Sequence, residues 1–166
     1  MELRSVETVI TALTSADVHF LVVGGVAVNA HGYERLTVDL DLVVGLQPPN
    51  IIRALNILRS IGYHPAIPVT PEQFADAPTR EAWRREKQML VLKLWSDQHR
   101  RTPLDIFVYE PFDFEREYAR ARWEQISPTV RAPIVSYEAL LAMKKEAARE
   151  KDLLDIAALQ KLDRYR

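Results

Sequence analysis

The sequence predicts a mixed α/β fold, a β-sheet flanked by helices with more helices at the C-terminal end. Short apolar runs of strand length, some alternating with period two, recur along the first two-thirds of the chain. Segments between and after them place apolar residues at three- and four-residue spacing, the mark of amphipathic helices. Glycines and prolines separate the two kinds, in the order helix, strand, helix, strand, helix, two strands, helices.

Residues 2–16 read as an amphipathic helix with Leu3, Val6, Ile10 and Leu13 near one face. Phe20–Val23 reads as a buried strand running into a Gly24-Gly25 turn, and Val26–His31 as a short helix stopped by Gly32. Leu36–Val44 reads as a strand. Pro48 and Pro49 open a helix over Asn50–Ser60, with Ile51, Leu55 and Leu58 inward and Gly62 as its stop. Residues 63–80 carry Pro65, Pro68, Pro71 and Pro78 and read as loop-rich. Gln88–Trp95 and Leu104–Tyr109 read as strands joined by the polar loop SDQHRRTP. Phe112–Ala121 reads as helical and 123–135 as extended. Ser136 suits the N-cap of a helix over 137–149, and a last helix presents Leu153, Leu154, Ile156, Ala157 and Leu159.

At 166 residues the chain fits a single domain, with a core over about 18–110 and a C-terminal helical part over about 136–166. The balance of 48% hydrophobic and 27% charged residues is that of a folded protein rather than a disordered one. The absence of cysteine excludes disulfides, thiolate metal sites and cysteine nucleophiles, and fits a cytoplasmic setting. No apolar run reaches the ~18 residues of a membrane helix. MELRSVETVITAL mixes charge with apolar residues and does not read as a signal peptide. A net charge of -1 argues against broad nonspecific nucleic-acid binding, though not against a local basic patch.

The segment from Val22 to Val44 is the most informative. Period-two alternation puts Asp39 and Asp41 on one strand face and Val38, Leu40, Leu42 and Val44 on the other, the core side. Adjacent carboxylates repel unless a cation, an arginine or a shared proton compensates, and hard oxygen donors favour magnesium. Asp105, in TPLDIFVYE, faces away from Leu104, Ile106 and Val108. Were the two strands neighbours, the three carboxylates would converge and could hold two magnesium ions about 4 Å apart. The plain alternative is a solvated strand face, although aspartate is a poor strand former.

Gly24-Gly25 lies between a strand and a helix, where backbone can approach a phosphate closely; it also fits a simple tight turn. It is neither a Walker loop nor a dinucleotide fingerprint. Arg35 and Thr37 share the Asp39 face. Arg35 suits a phosphate or a pairing with Asp39 or Glu34, and Thr37 suits a phosphate site or an ordinary strand. His19, His31, His64 and His99 lack zinc spacing. Arg80, Arg84, Arg85, Lys87, Arg100 and Arg101, with Trp83 and Trp95, read either as a patch for an RNA acceptor or as solvated surface.

The combination of GG, HG, R-x-T-x-D-x-D and a later strand aspartate resembles the DNA polymerase β-like nucleotidyltransferase superfamily, most of all its small AbiEii-type toxins. The C-terminal stretch, a lysine followed by K-D-x-x-D, is similar to that family's closing helices. The resemblance touches residues 20–44, 102–109 and 133–160. It implies magnesium-dependent transfer of a nucleoside monophosphate from an NTP to an RNA, protein or small-molecule acceptor. Gly24 and Gly25 would bracket the triphosphate. Asp39, Asp41 and Asp105 would hold magnesium, and Lys144 would reach the triphosphate. Asp152 matches the acidic residue that follows, or caps the last helix. A cognate antitoxin as partner is implied as well; no membrane is, and the oligomeric state stays open. The sequence departs from the family at Gly25, where serine is frequent, and in its short C-terminal region. Those departures keep an inactive nucleotide- or partner-binding module as the alternative, with a metal-dependent phosphodiesterase as a third reading.

Overall fold

The computed structural model describes residues 1–164. Among these residues, seven strands form one mixed sheet in the order β3-β4-β5-β2-β1-β7-β6. The strands are β1 (Phe20–Val22), β2 (Leu40–Val44), β3 (His64–Pro65), β4 (Val91–Trp95), β5 (Leu104–Phe107), β6 (Arg122–Gln125) and β7 (Arg131–Ile134). The helices are α1 (Leu3–Ser15), α2 (Gly24–Ala30), α3 (Pro48–Ser60), α4 (Pro71–Ala75), α5 (Ala77–Lys87), α6 (Phe114–Ala119), α7 (Tyr137–Ala147) and α8 (Glu150–Asp163).

The central strands are buried because their apolar residues are near-continuous. Phe20, Leu21 and Val22 of β1 and Leu42, Val43 and Val44 of β2 are all inaccessible, as are Leu104 and Ile106 of β5. β1 runs antiparallel to β2, and β2 parallel to β5. α1 and α3 add Val6, Val9, Ile10, Leu13, Ile51 and Leu58 to the same core. Burying each such side chain contributes roughly 1.5–3 kcal/mol.

Several segments differ from the sequence reading. Leu3 is exposed and Val9 takes the inward place in α1. Residues 63–80 are not loop throughout. Thr70 and Gln73 form a reciprocal capping box that starts α4, and Asp76 caps α5 through the Thr79 N–H. Pro71 and Pro78 therefore sit in first turns, where a missing N–H costs nothing. Gln88 ends α5 in the left-handed region, φ 50°, so strand β4 begins at Val91 instead. The stretch 123–135, read as merely extended, is taken up by the β6–β7 hairpin, Arg122 to Ile134, and β7 joins the sheet through Val22 and Ile134. The strand read from Leu36 starts only at Leu40. Residues 33–39 have no ladder partner, and Leu36 is 96% and Val38 66% exposed, so Val38 is not a core residue.

Candidate active site

β2 and β5 are hydrogen-bonded neighbours with Asp41 and Asp105 in register as lateral partners. Leu40, Leu42, Leu104 and Ile106 fill the core beneath, which turns both carboxylates to the opposite face. Asp39 stands just ahead of β2. All three line one cleft of about 290 Å³, with Gly24, Gly25, Arg35 and Thr37 on one wall and Lys144, Arg149, Lys151 and Asp152 on the other.

Gly24 and Gly25 are required sterically. Gly24 has φ +62°, and a Cβ there would lie 1.9 Å from Asp41 Oδ2. Its absence lets Asp41 rest against the turn and accept the Gly25 backbone N–H. A Cβ at Gly25 would meet Thr37 Oγ1 at 2.4 Å, so the threonine occupies the space a side chain at position 25 would need. The Thr37 hydroxyl donates to the Asp39 carbonyl at 3.3 Å. Asn29 of α2 fixes the segment from behind. Its amide donates to the Arg35 carbonyl at 3.0 Å and its Oδ1 accepts the Arg35 N–H at 3.1 Å.

Burial pushes the Asp41 carboxyl above its ordinary range, and the charges of Asp105 and Asp39 push it further; Lys151 and the Gly25 N–H oppose the rise. Burial also raises Asp105, against the pull of Lys93, whose Nζ lies 3.7 Å from Asp105 Oδ2. The pair is thus short of positive charge. Among the described residues no group of three histidine or acidic side chains is drawn together around one point that could hold a metal ion. The donor set itself, oxygen-only and beside a turn with no side chain in the way, fits a hard divalent ion.

The second wall is an ion network. Arg35 grips Asp155 of α8 with Nε and Nη2, at 2.6 and 2.9 Å, and gives Nη1 to the Leu36 carbonyl. Lys144 Nζ contacts Asp155 at 2.6 Å and Asp152 at 3.1 Å. Arg149 reaches Asp152 through Nε at 2.6 Å and Nη2 at 3.3 Å. Asp152 and Asp155 are each 1% exposed. Burial opposes the Asp152 charge, but the bonds from Arg149 and Lys144 outweigh it and hold the carboxyl below its ordinary range. Asp152 also accepts the Arg149 N–H, so it caps α8 and binds Lys144 at once.

Arg35 therefore pairs with neither Asp39 nor Glu34, and Lys144 lines the cleft with its ammonium already bound. The sequence reading assigns no role to Asn29 or Arg149, and includes Lys151 and Asp155 only as members of the K-D-x-x-D motif. The three-residue step from Asp152 to Asp155 in that motif puts both carboxylates on one helix face. Several members of the basic cluster are engaged within the protein. Arg80 is buried and donates to the Phe74 carbonyl; Arg84 stacks over the Tyr109 ring at 4.1 Å. Arg85 and Arg100 pair with Glu86 and Asp97, and Trp83 packs against Phe74.

Solved nucleotidyltransferase structures share this fold. The solution structure of the antibiotic-resistance factor ANT(2'')-Ia superposes with a TM-score of 0.63 at 13% identity, over 95% of this chain and 81% of that one. The lincosamide antibiotic adenylyltransferase LnuA, lincomycin-bound, gives 0.59 at 18% identity, over 95% of each chain. An antigenic nucleotidyltransferase-like protein from Paracoccidioides brasiliensis gives 0.54 at 18%, over 97% of this chain and 76% of that one. At these identities the likeness speaks for the fold alone. No curated protein matches the sequence. The profile of the nucleotidyl transferase AbiEii toxin family, type IV toxin–antitoxin system, matches residues 11–165. With that match running through both walls of the cleft, the chain belongs to the AbiEii nucleotidyltransferase toxin family and is a nucleotidyltransferase.

Proposed function

We propose that the chain moves a nucleoside monophosphate from an NTP to a hydroxyl of an RNA, protein or small-molecule acceptor, as the toxin of a toxin–antitoxin pair. The observation that carries this reading is the registered pair Asp41 and Asp105, set against the Gly24-Gly25 turn and short of positive charge. Asp39, Asp41 and Asp105 are the residues that would hold magnesium. Bound there, it would lower the pKa of the attacking hydroxyl and neutralise charge on the triphosphate and the departing pyrophosphate.

The chain's own part is positioning and proton handling. The turn offers backbone without side chains to the triphosphate. Asp105, raised by burial, suits a general base and takes the hydroxyl proton as the acceptor oxygen bonds to the α-phosphorus. The bond from that phosphorus to the bridging oxygen breaks and pyrophosphate leaves. LnuA is an adenylyltransferase bound to a small antibiotic, which is why a small-molecule acceptor stays beside RNA and protein.

The test is incubation of purified protein with magnesium and each α-labelled NTP, in the presence of total RNA, total protein and small polyhydroxy compounds. Label transferred to one of these, with matching pyrophosphate release and loss in Asp39→Asn and Asp105→Asn, is the expected result. Full transfer by either folded variant removes the carboxylates from the reaction. Release of monophosphate to water would make the protein a phosphodiesterase.

A further inference from the structure

A triphosphate brings several negative charges into a cleft that already holds three carboxylates. Cations must meet it, and the cations of this cleft are not equally available. Arg35, Lys144 and Arg149 are held by Asp152 and Asp155 at 2.6 to 3.3 Å. Arg35 spends Nε and both terminal nitrogens, and Arg149 keeps only its Nη1. Drawing Lys144 toward a phosphate would strip a cation from two aspartates buried to 1% exposure, and an uncompensated buried charge is costly.

Lys151 differs. It lies in the first turn of α8, lines the same cleft as Gly24, Asp41 and Asp105, and is exposed. Among the described residues its ammonium makes no hydrogen bond or ion pair. Its neighbour Asp152 points inward to Lys144 and Arg149, which leaves Lys151 on the cleft side of the helix. We propose that Lys151, rather than Lys144, is the side chain that binds the triphosphate of the incoming nucleotide, while Lys144 is a positioning residue that ties α7 to α8. Lys151 also acts electrostatically on both Asp41 and Asp105, in opposition to burial and to their mutual repulsion. This assignment rests on the nucleotidyl-transfer reading above.

The test is calorimetric titration of the 166-residue chain with the tightest-binding NTP, its NMP and its nucleoside, in magnesium. Wild type, Lys151→Met, Lys151→Arg and Lys144→Met are compared, each with its Tm. Loss of one charge-assisted contact makes Lys151→Met about ten- to a hundredfold weaker for NTP. Nucleoside affinity stays unchanged, Tm stays near wild type, and Lys151→Arg restores most of the NTP affinity. Lys144→Met shows its effect first as a fall in Tm. Wild-type NTP affinity in Lys151→Met overturns the assignment and leaves the transfer reading standing. So does equal loss of NTP and nucleoside. A wild-type chain that binds no NTP overturns both.

Discussion

The Asp41 carboxyl lies where a Gly24 Cβ would otherwise be, with Asp105 beside it on the next strand. Burial, then Asp105, then Asp39 hold its pKa above the ordinary 3.8. A carboxyl raised on folding binds its proton more tightly in the folded chain. That contribution favours folding below the unfolded value of about 3.8 and is withdrawn as pH rises through the folded value. Asp41→Asn keeps an oxygen for the Gly25 N–H and removes the charge. With divalent ions chelated, the variant is expected to melt above wild type at pH ~7, by on the order of 1 kcal/mol or roughly 2–4 °C. The gap should narrow as pH falls toward about 4. Thermal melts across that range check it, and a variant less stable than wild type at neutral pH removes the electrostatic conflict from Asp41. The placement of Asp41 and Asp105 away from the core was legible in sequence because it is local: strand alternation alone turns both out. Asp39 lies ahead of β2, where that alternation no longer holds. The ion-pair partners of Arg35 and Lys144 were not legible, since both contact Asp155, whose position depends on how α8 docks.

Helix α8 inverts the usual amphipathic rule. Its buried positions are Asp152, Asp155 and Leu159, whereas Leu153 is 56% and Leu154 62% exposed. Apolar residues therefore do not mark the buried face of this helix: of the five apolar residues named from sequence, Leu159 alone is fully buried. The ion network anchors the helix instead. Asp155→Ala should cost about 3–5 kcal/mol, since it leaves Arg35 and the buried Lys144 without that partner. Leu154→Ser should stay within roughly 0.5 kcal/mol of wild type. Urea unfolding of both variants checks the contrast, and a costlier leucine substitution would mean that α8 is held by its apolar side. α4 and α5 were hidden for another reason. Pro65, Pro68, Pro71 and Pro78 read as breakers, yet Thr70 and Asp76 stand as N-caps before two of them. The caps outweigh the proline count because a first-turn proline forfeits no helical bond.

Across the whole molecule, the cleft is assembled from chain segments far apart in sequence. Its floor comes from β2 and β5, and its walls from residues 24–39 on one side and 144–152 on the other. The mixed α/β class followed from local patterning, but the order β3-β4-β5-β2-β1-β7-β6 did not, because pairings such as Val22 with Ile134 leave no mark on nearby residues. This layout makes a prediction about where a ligand is felt. Residues 33–39 lack a ladder partner, and α8 is joined to them through the Arg35–Asp155 pair. A nucleotide lodged between the walls should damp opening of both together, and should stabilise the chain by roughly 2.7 kcal/mol at a ligand concentration a hundredfold above Kd. Amide exchange with NTP and magnesium should therefore slow at 33–39 and at 149–155 in parallel. Exchange in β6, at the far sheet edge, should change little. Protection confined to one wall would mean that the nucleotide does not bridge the cleft. Equal protection in β6 would mean that the chain responds to the nucleotide as one cooperative unit, without a local clamp at the site.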